Sequence, residues 1–134
     1  MVKQPIYNKQ DFRIGQQVVL FIKDGSNAIR YVKDKNNLQE RVIYVTVKNI
    51  GRKYITVVDK NNCTYDFDMT NRWLQKQNVG SIDYILFYNL MAIDEALKVD
   101  RCLKAIQEHL NRSDTRLTFE QCVGIANILG IQWY

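Results

Sequence analysis

Long hydrophobic runs are missing from this chain of 134 residues. No window approaches the ~20 uninterrupted apolar residues that a membrane-spanning helix needs, so a soluble protein with no membrane partner is expected. The N-terminal stretch Met1-Val2-Lys3-Gln4-Pro5-Ile6-Tyr7-Asn8 lacks the apolar centre of a signal peptide, so a cytoplasmic location is the expectation. Histidine is nearly absent. With His109 alone, neither a catalytic triad nor a histidine-rich metal site can be assembled within one chain. The three cysteines, Cys63, Cys102 and Cys122, are odd in number and widely spaced, which argues against a disulfide framework or a zinc site. Cys102 and Cys122 fall on helical patterns, where a cysteine is expected to act as a small apolar filler. Gly-rich phosphate loops, Gly-x-Ser-x-Gly elbows and His-Glu-x-x-His helices are also lacking. The expectation is a protein that is not an enzyme, with no catalytic residues, no metal and no cofactor.

What the chain does have is positive charge, unevenly placed. Residues 1–60 hold twelve Lys and Arg against five Asp and Glu, a net +7, whereas residues 61–134 hold seven against nine, a net −2. The basic half is also the half rich in strand signals. Such a field favours an anionic partner, either nucleic acid or an acidic protein surface, without specifying which.

β-Branched and aromatic residues bounded by turn signals predict strands at 17–23, 39–48, 54–58, 64–69 and 82–88, the last entered after Val79-Gly80-Ser81, with a further short one at 73–77. Ala28 to Val32 reads as a loop or a short strand. From Asn89 the period changes to that of a helix. Asn89 can cap a helix running to about Asn111, with Ile93, Leu97, Leu103, Ile106 and Leu110 along one stripe. Thr118-Phe119-Glu120-Gln121 matches a capping box, and the helix that follows is stopped by Gly130. The fold class expected is α+β, in a single domain 1–134. A small, strongly bent antiparallel β-barrel of five to six strands (SH3-like, 12–88) precedes a C-terminal two-helix hairpin (89–134). The apolar face of that hairpin must cover either the barrel or a second chain.

The stretch Val45 to Val58 reads first as a hairpin. Ile43, Val45 and Val47 face Ile55 and Val57, and Asn49 and Gly51 are turn residues that tolerate positive φ. Arg52, Lys53 and Tyr54 are left over from that account. On barrels of this type, loops carrying cations and an aromatic contact nucleic acid, the cations neutralising phosphate and the ring stacking on a base. The candidate binding surface therefore comprises Arg30, Tyr31, Lys33, Lys35, Arg41, Lys48, Arg52, Lys53 and Tyr54. Asp66 and Asp68 share one face of a strand, as an acid-base or Mg²⁺ pair would require, but the alternation of Asp with Tyr and Phe is also that of a half-exposed strand.

These residues carry a resemblance. Ile14-Gly15-x-x-Val18-x-Leu20, Gly25-Ser26-Asn27-Ala28-x-Arg30, Val45-x-Val47-x-x-Ile50-Gly51-Arg52-Lys53-Tyr54-x-x-Val57 and Phe67-Asp68 come in that order. They are followed by Asp83-Tyr84-x-Leu86-Phe87 and Arg116-Leu117-Thr118-Phe119-Glu120-Gln121. From about Phe12 to Ile131 the chain resembles the small β-barrel domain proteins encoded in phages and prophages of Gram-positive bacteria. The resemblance implies a phage accessory protein in the host cytoplasm and carries over no site residues. By analogy with other phage accessory proteins, the expected role is an inhibitor or adaptor. Its partner would be a host protein or protein–nucleic-acid complex, such as a nucleic-acid-processing or defence machine. The alternative is direct, largely sequence-nonspecific DNA or RNA binding. The chain departs from the family at Leu90-Met91-Ala92-Ile93, more apolar than a helix start requires, which marks Leu90, Met91 and Ile93 as a candidate oligomer or partner surface.

Overall fold

The computed structural model describes residues 2–77, 82–112 and 116–134. Six strands form one antiparallel sheet: β1 (Gln17–Ile22), β2 (Val42–Ile50), β3 (Tyr54–Val58), β4 (Thr64–Asp68), β5 (Leu74–Gln75) and β6 (Tyr84–Phe87). The order β5-β4-β3-β2-β1-β6 brings the two outer strands together, so the sheet curls into a nearly closed barrel. Two helices follow, α1 (Leu90–Asn111) and α2 (Phe119–Leu129). No helix among the described residues is long and apolar enough to cross a membrane. Val79-Gly80-Ser81, and residues 113–115 of the connection expected between the helices at 112–117, lie outside the described residues.

The strand from Gln39 is shortened to begin at Val42, because Leu38–Arg41 form a 3-10 turn capped by Asn37, whose side chain accepts from the Gln39 amide. Ala28–Tyr31 is likewise a 3-10 turn rather than a strand. In β2, Val47 pairs with Val57 but Asn49 pairs with Thr56, so Lys48 is the extra residue of a β-bulge. The bulge explains why Val45, Val47 and Ile50, at spacings of two and then three, all face inward. Gly51 is not in the left-handed region. A Cβ there would stand 3.3 Å from the Tyr54 carbonyl oxygen, which accepts the Gly51 amide, so glycine relieves a tight approach here rather than supplying a positive φ.

β1 is buried on both faces. Val18 and Leu20 enter the barrel with Val45, Val47, Ile55, Val57, Phe67 and Leu86, whereas Val19 and Phe21 face outward and join Ile85, Phe87 and Ile93. The outer cluster is covered by the start of α1, where Ile93 is fully buried and Leu90, Ala92, Ala96 and Leu97 pack around it. Burying a side chain of that size contributes about 2 kcal/mol. Ile93 is therefore core, not partner surface, and the excess of apolar residues at the helix start is explained by the second face of β1. Met91, on the opposite side, is 80% exposed.

The barrel interior is plugged by aromatic rings. Tyr7 meets Phe12 and Trp73 edge-on at 5.2 and 5.6 Å, and Phe12 lies 5.2 Å from Trp73. Trp73 and its neighbour Arg72 both adopt left-handed backbone conformations (φ 60° and 53°), an unusual pair for bulky residues that costs on the order of 1–3 kcal/mol each. Burial of the Trp73 ring to 2% exposure offsets part of that strain.

Barrel closure is made by side chains. The Gln75 amide oxygen accepts from the amides of Asp83 (3.3 Å) and Tyr84 (3.0 Å). The Gln4 side chain accepts from the Leu86 amide (2.8 Å) and donates to its carbonyl (2.9 Å), and the Tyr7 hydroxyl accepts from the Tyr88 amide (3.0 Å). Residues 84, 86 and 88 are the outward-pointing amides of the edge of β6. An open edge would template pairing with another chain, and here its donors are occupied.

The chain divides into two compact units, Met1–Asp100 and Arg101–Tyr134. The division falls inside α1 rather than at the junction of barrel and helices near residue 89, because the first half of α1 belongs to the core just described. In the second unit the caps form as their sequences require. The Thr118 hydroxyl accepts from the Gln121 amide and the Gln121 side chain accepts from the Thr118 amide, while Gly130 ends α2 at φ 68°. At the head of α1 the Asn89 side chain accepts from the Ala92 amide.

Candidate binding surfaces

At the β2–β3 tip, Tyr54 is paired with Asp68 of β4 and is half-buried. Its ring carries two ammonium groups, Lys53 Nζ at 5.3 Å and Lys76 Nζ at 4.8 Å from the centroid. The aromatic face attracts both cations and keeps them together at the tip, where mutual repulsion would otherwise separate them. Tyr54 is thus a rest for lysines rather than a free platform for a base. Lys53 also lies 3.7 Å from Asp68. The Asp68 carboxyl is held below the usual carboxylate range, first by the Thr70 hydroxyl and amide that donate to it and then by Lys53. Arg52 and the bulge residue Lys48 are exposed and make no ion pair among the described residues. The tip therefore gathers four cations: Lys48, Arg52, Lys53 and Lys76. Sequence spacing does not reveal Lys76, which reaches Tyr54 only because β4 aligns Asp68 with both Tyr54 and Leu74.

Arg30, Tyr31, Lys33 and Lys35 form a separate exposed group on the loop that enters β2 at Val42, whereas the tip leaves β2 at Ile50. The length of β2 stands between them, and no hydrogen bond or ion pair joins the two groups among the described residues. Tyr31, at 88% exposure, is a free ring. Arg41 belongs to neither group. Its guanidinium is buried over the Phe21 ring at 4.2 Å, donates to the Ile22 carbonyl, and pairs with Asp24 at 3.1 Å. It secures the loop to the end of β1. The carboxylates of Asp66 and Asp68 are also engaged, Asp66 by the Thr56 hydroxyl and Asp68 as described above. Among the described residues no three His, Cys, Asp or Glu side chains come together as a metal site.

The second unit presents a different surface. Leu103, Ile106 and Leu110 on α1, and Phe119 and Leu129 on α2, are all exposed, and so is Trp133, stacked edge-on against Phe119 at 5.5 Å. Ile93 is the only buried residue of α1, and α2 has none. Cys102 and Cys122 are exposed with their helices instead of filling a core. The stripe read from sequence as one apolar face thus has two fates: Ile93 and Leu97 pack on β1 and β6, and the residues from Leu103 onward face outward.

No family model, curated protein or solved structure matches this chain.

Proposed function

We propose that this chain is a non-catalytic binding protein that docks on a protein partner through the unit Arg101–Tyr134. The observation that carries the reading is the exposed apolar surface of that unit. A unit of this size is below the ~40 residues that usually sustain a core alone, and here the described side chains form none. Exposed apolar side chains of this kind mark interaction sites, and Trp, Tyr and Phe are the side chains that anchor them. Leu103, Ile106, Leu110, Phe119, Leu129 and Trp133 are the anchors. In keeping with the phage resemblance, the partner is a host nucleic-acid-processing or defence machine, and the protein acts as its inhibitor or adaptor in the host cytoplasm.

The test is affinity capture from a Gram-positive host lysate, with and without thorough nuclease digestion, using the chain and its Phe119→Ser/Trp133→Ser variant. A stoichiometric host protein that survives nuclease and is lost with the variant is the expected result. Equal capture by the variant would overturn the role of this surface.

A second reading is favoured by the four cations gathered at the tip: direct nucleic-acid binding by the barrel. If Lys48, Arg52, Lys53 and Lys76 each neutralise a phosphate, affinity should fall about 10²-fold between about 50 and 200 mM salt. A flat salt response, or unchanged affinity after Arg52→Ala with Lys76→Ala, counts against it. Recovery of nucleic acid alone in the capture experiment would favour it.

A further inference from the structure

Where the barrel closes through Gln75 and Gln4 rather than through a strand ladder, the two glutamines leave a cleft between them. It has a volume of about 340 Å³ and lies wholly within the first unit. Three segments far apart in sequence each bring a cation to it: Lys3 from the N-terminal stretch, Lys23 from the end of β1, and Arg72 from the turn before β5. Among the described residues no carboxylate lines it, and none of the three cations is in an ion pair. The remaining wall is largely apolar, with Leu74, Ile82 and Tyr84 among its members.

Three like charges lining one concave, partly apolar site give it a positive field, and an anion that enters is attracted by all three. Arg72 is also held there by the left-handed backbone it shares with Trp73, a strained turn fixed by the burial of the neighbouring indole. Strain of this kind is common at ligand-binding sites. The cleft volume falls at the lower end of the ~300–1,000 Å³ typical of small-molecule sites.

We propose that this seam cleft binds a phosphate ester with a flat aromatic group, of the size class of a mononucleotide. The phosphate sits among Lys3, Lys23 and Arg72, and the aromatic group lies against Leu74, Ile82 and Tyr84. The ligand is either a free nucleotide or the phosphorylated end of a nucleic-acid strand. The proposal depends on neither functional reading above, since it uses neither the exposed apolar surface of the second unit nor the cations of the tip.

The experiment is calorimetric titration of the full chain with AMP, inorganic phosphate, and a short single-stranded oligonucleotide with and without a 5′-phosphate. AMP is expected to bind one to one, with inorganic phosphate competing. Lys23→Gln/Arg72→Gln should weaken binding at least about tenfold, the loss expected when charge-assisted hydrogen bonds are removed. Lys48→Gln/Arg52→Gln at the tip should leave it unchanged. Lys3→Gln/Lys23→Gln provides the same test without touching the strained turn, should the Arg72 variant unfold. Tighter binding of the 5′-phosphorylated oligonucleotide than of AMP or its unphosphorylated form identifies a strand end as the ligand, and the reverse order identifies a free nucleotide. No heat from AMP or phosphate at millimolar concentration, or binding indifferent to both charge-removing variants, overturns the proposal.

Discussion

Arg41 offers the sharpest test of the fold, because its charge alone gives it the sequence profile of a surface cation. In the structure its guanidinium donates to the Ile22 carbonyl, lies over Phe21 and pairs with Asp24. A hydrogen bond from a charged donor contributes about 1.5–3 kcal/mol and a desolvated cation–π contact about 1–2. The Asp24 pair contributes under about 1 kcal/mol, since that side chain is 55% exposed and screened by solvent. Arg41→Ala should therefore cost about 3 kcal/mol, equivalent to roughly 10 °C in Tm for a domain of this size. Arg41→Met should cost less, about 1 kcal/mol, because it restores contact with Phe21 and removes a buried Nε that has no partner. Asp24→Asn should cost under about 1 kcal/mol. Urea unfolding followed by near-ultraviolet circular dichroism measures all three. A loss below about 0.5 kcal/mol for Arg41→Ala, the range of ordinary surface substitutions, would show that the guanidinium is not structural and would return it to the binding surface.

Ile93→Ala should destabilise the chain by about 2–5 kcal/mol in the same assay, whereas Met91→Ala should change stability little, because only Ile93 is enclosed by β1, β6 and α1. At Asp59, burial raises the carboxyl pKa, but the amides of Asn61 and Cys63, the Tyr65 hydroxyl and Lys60 together hold it below its usual range, as Thr70 and Lys53 do for Asp68. A folded-state pKa below the unfolded value gives stabilisation that is complete above about pH 4 and lost as pH falls through the lowered values. The urea midpoint should drop below about pH 4, and Asp59→Asn should flatten that limb. An unchanged acid limb in that variant would refute the assignment. Burial pushes the Tyr7 hydroxyl up to about 12, the Tyr88 amide opposing it, and raises Tyr65 and Tyr84 as well. Raised values bring stabilisation that is complete below about pH 10 and lost as pH rises through them. In an alkaline ultraviolet titration these three tyrosines should ionise above the usual tyrosine range and together with unfolding. Tyr7→Phe should remove the step nearest pH 12.

Much of the architecture is written locally. Thr118, Gln121 and Gly130 specify the ends of α2 through bonds that span three or four residues, and Tyr54 to Val58 forms the strand its β-branched run predicts. The β-branched runs and the period change at Asn89 are local in the same sense, and together they determine an α+β chain of barrel then helices. What they leave undetermined depends on register between distant strands. The pairing of Asp68 with both Tyr54 and Leu74 carries Lys76 to the tip, and the bulge turns Lys48 outward. Burial of β1 on two faces makes Ile93 core, with Leu97 packed beside it, and leaves the stripe from Leu103 onward uncovered. The meeting of β5 with β6 calls on Gln4 and Gln75 to close the barrel and sets Lys3, Lys23 and Arg72 around one cleft. Periodicity and caps act over a few residues and so survive in the sequence as pattern. The convergence of charges from separate segments is decided by closure of the sheet, and only the tertiary structure determines it.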